Sequence, residues 1–256
     1  MDSLVEAVGD KIMSPNAREL YNGQLPFLFK VLAAGKPLSI QVHPTKEQAN
    51  AGFARENTAG VDLKAEHRNY KDPNHKPELI AAVTEFFGLR GFKPLEEIAA
   101  AFKANSELMV IEGANRFVET PSEENLKTLY GNIMALPKKR VDAILSPLIE
   151  RLNGQNTKVP FQKTSPEYWV LLSDAEFLTE GHHDRGVFSV YLLNLIRLNP
   201  GQAMYLSAGV PHAYLDGVGM EIMANSNNVL RGGMTTKHVD VPELMNTVVF
   251  QGEPPT

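Results

Sequence analysis

Polar and apolar side chains alternate with a period of two from residue 38 to residue 43, a pattern that predicts a β-strand. The polar positions, Ser39, Gln41 and His43, therefore share one face of the strand, and the aliphatic positions between them share the other. A mostly apolar run at residues 25–34 precedes this segment across a Gly-Lys-Pro turn and predicts another strand. One face of the 38–43 strand is expected to pack in a core, which leaves the other face free to hold polar chemistry.

The spacing of apolar residues lengthens from two to three and four after Pro94. Up to about Gly154 the apolar side chains recur as on an amphipathic helix, for example at Leu95, Ile98 and Phe102. This predicts several inserted helices whose apolar stripes pack in a core.

Shorter signals place other elements. Thr45 and Gln48 have the spacing of a capping box, which predicts a helix running to about Glu56. The apolar run at 79–83 predicts a strand, and residues 168–178 predict a helix.

The pattern returns to β-strands after Gly186. We expect strands over residues 187–198 and 203–206 and around His212, separated by Pro and Gly turns, as in an antiparallel barrel or jelly roll. The predicted fold is therefore mainly β, a jelly-roll barrel with an α-helical insertion. The expected domain limits are the N-terminal part of the barrel at 1–93, the helical domain at 94–155 and the remainder of the barrel at 156–256.

Composition narrows the functional classes. The formal net charge of the 256-residue chain is -5, so a nucleic-acid-binding surface is not expected. The chain contains no cysteine, which excludes disulfides, thiolate metal sites and cysteine nucleophiles. Its start lacks the basic head and apolar stretch of a signal peptide, and no run is long enough to span a bilayer. We expect a soluble cytoplasmic monomer without a membrane partner.

Four residues offer nitrogen and oxygen ligands for a metal ion. Gln41 and His43 leave the same strand face, His212 follows a proline at a strand start, and Glu78 precedes the apolar run 79–83. Two histidines, a carboxylate and an amide oxygen can bind zinc and leave room for water or substrate. The two histidines and the carboxylate would also suit iron. The alternatives are hydrogen bonding on a polar sheet face and a structural histidine bonded to backbone.

The segment 219–237 carries further candidate chemistry. Glu221 sits in an apolar strand, where it is either a catalytic acid or base or a structural ion-pair partner. Arg231 precedes two glycines, and with Lys237 it could hold a phosphate, the alternative being solvated loop cations. His182 and His183 are predicted to be exposed rather than liganded. His67 and His238 have no ligand-like context, and the dinucleotide, P-loop and serine-hydrolase motifs are absent.

These segments resemble type I mannose-6-phosphate isomerases (phosphomannose isomerases), a family of zinc-dependent cupin enzymes. The resemblance covers most of the chain. It is carried by Leu25-Pro-Phe-Leu-Phe-Lys-Val-Leu, Pro37-Leu-Ser-Ile-Gln-Val-His-Pro, Asn69-Tyr-Lys-Asp-Pro-Asn-His-Lys-Pro-Glu, Pro211-His-Ala-Tyr and the segment 221–237.

The resemblance implies a cupin barrel that binds one zinc ion per chain and interconverts mannose 6-phosphate and fructose 6-phosphate through an enediol. It assigns the zinc ligands to Gln41, His43, Glu78 and His212. It also implies catalytic roles for Arg231, Glu221 and Lys76, and contact of the sugar phosphate with Ser39, Lys237 and Tyr214. Which of Glu221 and Lys76 moves the proton stays open.

Two features of the family are missing from this sequence. Its members usually begin upstream, with an Asn-Tyr-x-Trp-Gly motif and a Leu-Trp-x-Gly-x-His-Pro motif, and extend downstream into a second cupin-like domain. We therefore expect a chain shortened at both ends. Two other functions fit the residues: a non-catalytic sugar-phosphate-binding cupin, and a different metal enzyme such as an iron-dependent oxygenase.

Overall fold

The computed structural model describes residues 11–21 and 23–254. Eight strands form two antiparallel sheets that share one long strand, β7. The strands are β1 (Phe27–Ala34), β2 (Ile40–Val42), β3 (Glu78–Ala82), β4 (Phe86–Phe92), β5 (Leu193–Leu198), β6 (Ala203–Leu206), β7 (His212–Ala224) and β8 (Leu230–Gly233).

The two sheets face each other. The helix-side sheet has the order β5-β4-β7-β2-β8 and uses the first part of β7. The outer sheet has the order β1-β7-β3-β6 and uses the second part of β7. Within residues 11–21 and 23–254 no ladder joins β5 to β8, so the cupin-like strand arrangement is not closed into a barrel.

A β-bulge divides β7 between the two sheets. On β4, Phe87 is paired with Asp216 and the next residue, Gly88, with Tyr214, so Leu215 is an extra residue on β7. An extra residue reverses the alternation of side chains that follow it. His212 and Tyr214, before the bulge, and Glu221, after it, therefore line the same cavity although their numbers differ in parity.

Helices form a third layer, mostly between β4 and β5, and contain more residues than the strands do. They are α1 (Pro15–Leu20), α2 (Lys46–Thr58), α3 (Leu95–Ala104), α4 (Ala114–Glu119), α5 (Glu123–Ala135), α6 (Lys138–Lys158), α7 (Pro166–Phe177), α8 (Ser189–Leu192) and α9 (Val241–Thr247), with 3-10 turns at Ser106–Val110 and Arg185–Phe188. Among the described helices, none is long and apolar enough to cross a membrane.

Two apolar cores hold the three layers together. The larger core joins the helices to the helix-side sheet and contains Ile40, Leu89 and Leu145. The smaller core lies between the sheets and contains Ile80, Phe86 and Tyr214. The predicted alternation is confirmed from Ser39 to Val42, since Ile40 and Val42 pack against the helices while Ser39 and Gln41 line the cavity between the sheets. Leu38 was expected on the apolar face with Ile40 and Val42 but packs in the smaller core and lines the same cavity as Gln41.

The predicted combination of antiparallel strands and inserted helices is confirmed. The Thr45–Gln48 capping box begins α2, with both reciprocal hydrogen bonds formed, and the helix ends two residues later than expected. The helical insertion, the helix near 168–178 and the strands near 79–83 and 203–206 are also found. The domain limits at 93/94 and 155/156 remain a prediction.

Two further expectations were wrong. Residues 187–192 were expected to begin a strand but form the 3-10 turn and α8, and only 193–198 is extended. Residues 187–192 are buried on every side, and such a run has no polar face to reveal its period. The side chain of His183, expected to be exposed, is only 11% exposed and is bonded to Asp174.

Candidate metal centre

Three of the predicted ligands meet between the two sheets. The Nε2 atom of His43 lies 3.3 Å from Glu78 Oε1, and that of His212 lies 3.4 Å from Glu78 Oε2. One ligand atom from each residue lies within 4.8 Å of the others, and all three residues are buried. The sequence separates these residues widely, but β3 and β7 pair directly, and β7 also pairs with β2, which ends just before His43.

Hydrogen bonds at the outer nitrogens orient both imidazoles. His43 Nδ1 donates to the carbonyl of Asn228 and His212 Nδ1 to that of Val210, each at 2.9 Å. A nitrogen that donates to a carbonyl carries the proton, so the Nε2 lone pairs face Glu78. His43 Nε2 is buried without a hydrogen-bond donor or acceptor of its own. These residues therefore fit a cation such as zinc.

The electrostatics of the cluster favour the protonation states that a metal requires. Burial lowers the pKa of His43, with the Glu78 contact opposing it, so the neutral imidazole is favoured. Burial alone would raise the pKa of Glu78, but the contacts to His212 and His43 outweigh it and hold that pKa below its usual value. Neutral imidazoles and an ionised carboxylate are the ligand forms that bind divalent metals.

Gln41 is placed beside this cluster by strand pairing. On β2 it lies opposite His212 of β7 on one side and opposite Arg231 of β8 on the other. Its side chain lines a cavity of about 170 Å³ together with Glu78 and His212.

The same cavity is lined by Glu221, Tyr214 and Lys30. Tyr214 donates its hydroxyl to Glu221 Oε1 at 2.7 Å, and the Lys30 ammonium lies 2.8 Å from Glu221 Oε2. Burial, and then the carboxylates of Glu78 and Glu221, raise the pKa of Tyr214, which keeps its hydroxyl a donor. Glu221 is thus both a structural ion-pair partner and a buried carboxylate that lines the cavity.

Cations approach the cluster from two other sides. Lys76 Nζ lies 3.0 Å from Glu78 Oε1, and Lys76 lines the cavity. Arg231 donates from Nη1 to Ser39 Oγ at 2.7 Å, and Ser39 also lines the cavity. Burial lowers the pKa of Arg231 from its usual high value.

Lys237 lies apart from this cavity. It is exposed and lines a separate cavity of about 270 Å³ with Lys138 and Arg185. The structure therefore brings together every predicted site residue except Lys237, which follows β8 by four residues.

Two residues of the site were not identified from sequence. Lys30 is the one polar side chain in the apolar run of β1, and both faces of that strand are apolar, so the period of two does not say which face turns inward. Asn228 is fully buried and accepts from the backbone of Lys71 and Asp72 while its carbonyl holds His43. It therefore ties the loop before Glu78 to the first histidine, a role that only the folded chain reveals.

The fold and the site define a class: a cupin-like, two-sheet protein with a candidate histidine–carboxylate metal centre between its sheets. A family described as "phosphomannose isomerase type I, catalytic domain" matches residues 3–95. Curated mannose-6-phosphate isomerases match over more of the chain. The Escherichia coli (strain K12) protein is 45% identical over 239 residues, and the Homo sapiens protein 37% over 263 residues.

Solved structures agree. An apo mannose 6-phosphate isomerase from Salmonella typhimurium matches 98% of this chain with a TM-score of 0.85 and 40% identity. A holo, zinc-bound mannose 6-phosphate isomerase gives a TM-score of 0.84 at 39% identity. Along nearly its whole length the chain is similar to type I phosphomannose isomerases. The match to the E. coli protein includes 91% of this chain and the match to the human protein 96%, but each includes only 56% of the relative's length. Of the two solved chains, the zinc-bound one is covered to 61% and the apo one to 62%.

Proposed function

We propose that this protein is a zinc-dependent aldose–ketose isomerase that interconverts mannose 6-phosphate and fructose 6-phosphate. The observation that carries the proposal is the placement of Glu221 in one small cavity with the Glu78–His212 part of a buried ligand cluster. Relatives 37–46% identical are named mannose-6-phosphate isomerase, and a related structure is described as zinc bound. Both facts support the assignment.

The zinc ligands in this proposal are His43, Glu78, His212 and the amide oxygen of Gln41, with one ion per chain. Zinc supplies a Lewis acid for the oxygens on C1 and C2 of the open-chain sugar. These four residues would hold the ion beside the cavity, where the oxygens of a substrate could reach it.

The protein's own residues would move the proton between C2 and C1. Glu221 is our first candidate for the group that takes and returns it, because the carboxylate lines the cavity and Tyr214 and Lys30 fix both of its oxygens. Lys76 is the second candidate, since its amine nitrogen could exchange the proton and its side chain lines the same cavity. Arg231 places a fixed positive charge near the enediolate as its negative charge develops.

Substrate contacts are proposed for Ser39, Tyr214 and Lys237. The Ser39 hydroxyl is held by Arg231, so the pair can present a hydroxyl and a guanidinium to a sugar phosphate. Lys237 rests on the family resemblance alone, since it lines another cavity. A Lys237→Ala variant is expected to raise KM with little change in kcat if the lysine binds phosphate.

A coupled assay for fructose 6-phosphate formed from mannose 6-phosphate, with zinc-loaded protein, tests the proposal. Arg231→Ala should abolish turnover. Arg197→Ala is the matched control, because Arg197 forms an exposed ion pair with Glu85 on the far edge of the helix-side sheet. Folded, zinc-bound protein without turnover would instead indicate a sugar-phosphate-binding cupin, and iron in place of zinc after purification would point to a different metal enzyme.

A further inference from the structure

A serine, a histidine and an aspartate form a hydrogen-bonded chain among the helices, on elements other than those of the metal centre. Ser146 Oγ lies 3.0 Å from His183 Nε2, and His183 Nδ1 lies 2.6 Å from Asp174 Oδ1. Ser146 is on α6, Asp174 is on α7, and His183 follows α7 in the loop 178–184. The order nucleophile, base and orienting carboxylate is that of a catalytic triad.

The partners decide which nitrogen of His183 carries the proton. An ionised carboxylate only accepts hydrogen bonds, so His183 Nδ1 donates to Asp174. The neutral imidazole then has its lone pair on Nε2, where it accepts from the hydroxyl of Ser146. This is the polarity that lets an imidazole remove a proton from a serine as the serine attacks.

The histidine is held rigidly. Residues 179–182 form a tight turn with two reciprocal backbone hydrogen bonds, and both central residues, Glu180 and Gly181, have positive φ. Asp142, one helical turn before Ser146 on α6, accepts from the backbone N–H of His183 and pairs with the ring of His182. The base and the nucleophile are thus fixed to the same face of one helix.

The three hydrogen-bonded residues differ in burial, and a nucleophile must be the one that solvent and substrate can reach. The side chains of His183 and Asp174 are 11% and 8% exposed, whereas Ser146 is exposed to solvent. His183 also lines the cavity of about 270 Å³ with Lys138 and Arg185, whereas Ser146 does not line it and is reached from the exposed face of α6. A purely structural hydrogen-bond chain would not require an exposed hydroxyl at its end.

We propose that Ser146 is an activated nucleophile that accepts an acyl group from activated esters or thioesters, with His183 as general base and Asp174 as its positioning residue. In the step, Ser146 Oγ forms a bond to the acyl carbon, the bond to the leaving group breaks, and the serine proton passes to His183 Nε2 and on to the leaving group. Hydrolysis by water completes a cycle without any redox change. Within the described part of the chain we assign no backbone N–H groups to an oxyanion hole, so we expect one acylation per chain and slow turnover.

The probe is p-nitrophenyl acetate, used on the full zinc-loaded chain, with release of p-nitrophenolate followed in time and the acetylated residue located by peptide mass spectrometry. We expect one acetyl group on Ser146. Ser146→Ala should remove this burst, whereas Ser106→Ala, at another exposed serine, should leave it unchanged.

Two further variants separate activation from packing. His183→Gln removes the base, and Asp174→Asn keeps the shape but lets an amide donate to Nδ1 and so reverses the tautomer. Each should slow acetylation of Ser146 by at least ~100-fold, the usual contribution of a general base. Absence of acetylated Ser146 in folded wild-type protein, or acetylation of Ser146 as fast in both variants as in the wild type, would overturn the proposal and leave the three residues as a structural connection. Ser146→Ala removes only an exposed hydroxyl and remains informative if either variant fails to fold.

Discussion

Lys30 and Glu221 lie directly opposite each other on β1 and β7, and their side chains form an ion pair of 2.8 Å inside the outer sheet. Glu221 is 2% exposed, whereas the ammonium of Lys30 reaches the surface. A buried carboxylate requires compensation, and here it comes from one cation and one hydroxyl. The pair that positions the proposed catalytic carboxylate therefore also stabilises the sheet.

Replacing Lys30 with methionine should lower the free energy of unfolding by roughly 1–3 kcal/mol, because Glu221 stays buried without its cation. Lys30→Met/Glu221→Gln should recover part of that loss, since a neutral amide needs no cation, while turnover stays low. Urea unfolding and the isomerase assay measure the two effects. Lys36→Met, at an exposed ion pair with Glu176, is the control and should change stability by less than about 0.5 kcal/mol. Equal losses at both lysines would contradict the argument.

Zinc should bind once per chain and stabilise the fold. At a free zinc concentration of about 100 times Kd the unfolding free energy should rise by about 2.7 kcal/mol, a gain that a chelator removes. His212→Ala and Glu78→Ala should each weaken zinc binding by more than ~100-fold, since even residues that only support ligands cost about 10–100-fold. Isothermal titration calorimetry measures this. His67→Ala alters a pair formed with His238 outside the cluster, and a loss of zinc affinity there would count against the proposed site.

Gly186 should not tolerate a side chain. A Cβ at this position would lie 2.3 Å from the backbone nitrogen of Met234 and 2.7 Å from the carbonyl carbon of Gly233. Because backbone cannot move aside cheaply, Gly186→Ala should destabilise the protein by at least ~1–3 kcal/mol. Gly154→Ala is the matched control: no atom lies within 4 Å of the new Cβ in α6, and the change should stabilise by roughly 0.5–1 kcal/mol. Thermal unfolding measures both effects: Gly186→Ala should lower the unfolding temperature and Gly154→Ala should raise it.

The Glu107–Arg151 pair should contribute pH-dependent stability. Arg151 binds both carboxylate oxygens, at 2.6 and 3.1 Å, and this contact lowers the pKa of Glu107 from 4.5. A carboxyl with a lowered folded-state pKa stabilises the protein above its unfolded pKa, and the contribution is lost as pH falls through the folded value. Between about pH 6 and pH 3 the wild type should therefore lose more stability than Glu107→Gln. Denaturant unfolding across that range measures the difference, and parallel curves would show that the pair contributes nothing.

The polar face of residues 38–43 could be predicted because a strand has one simple period and its two faces differ in polarity. The same argument failed at residues 187–192, where burial on all sides leaves no polar face to count. Glu78 could be proposed as a ligand from its chemistry. Its position beside His43, however, depends on Asn228, which bonds both to His43 and to the loop that precedes Glu78. Long-range contacts of this kind carry no local sequence signal. Lys30 carries no such signal either, since both faces of β1 are apolar and alternation does not tell which of them turns inward.

The bulge at Leu215 makes the length of β7 as important as its composition. His212 and Glu221 are nine residues apart, and without the extra residue their side chains would point to opposite faces of the strand. A deletion of one residue there would turn Glu221 towards solvent and bring Met220 or Ile222 into the polar cavity. Variation among relatives should therefore be freer in side-chain identity along this strand than in the number of residues between its histidine and its glutamate.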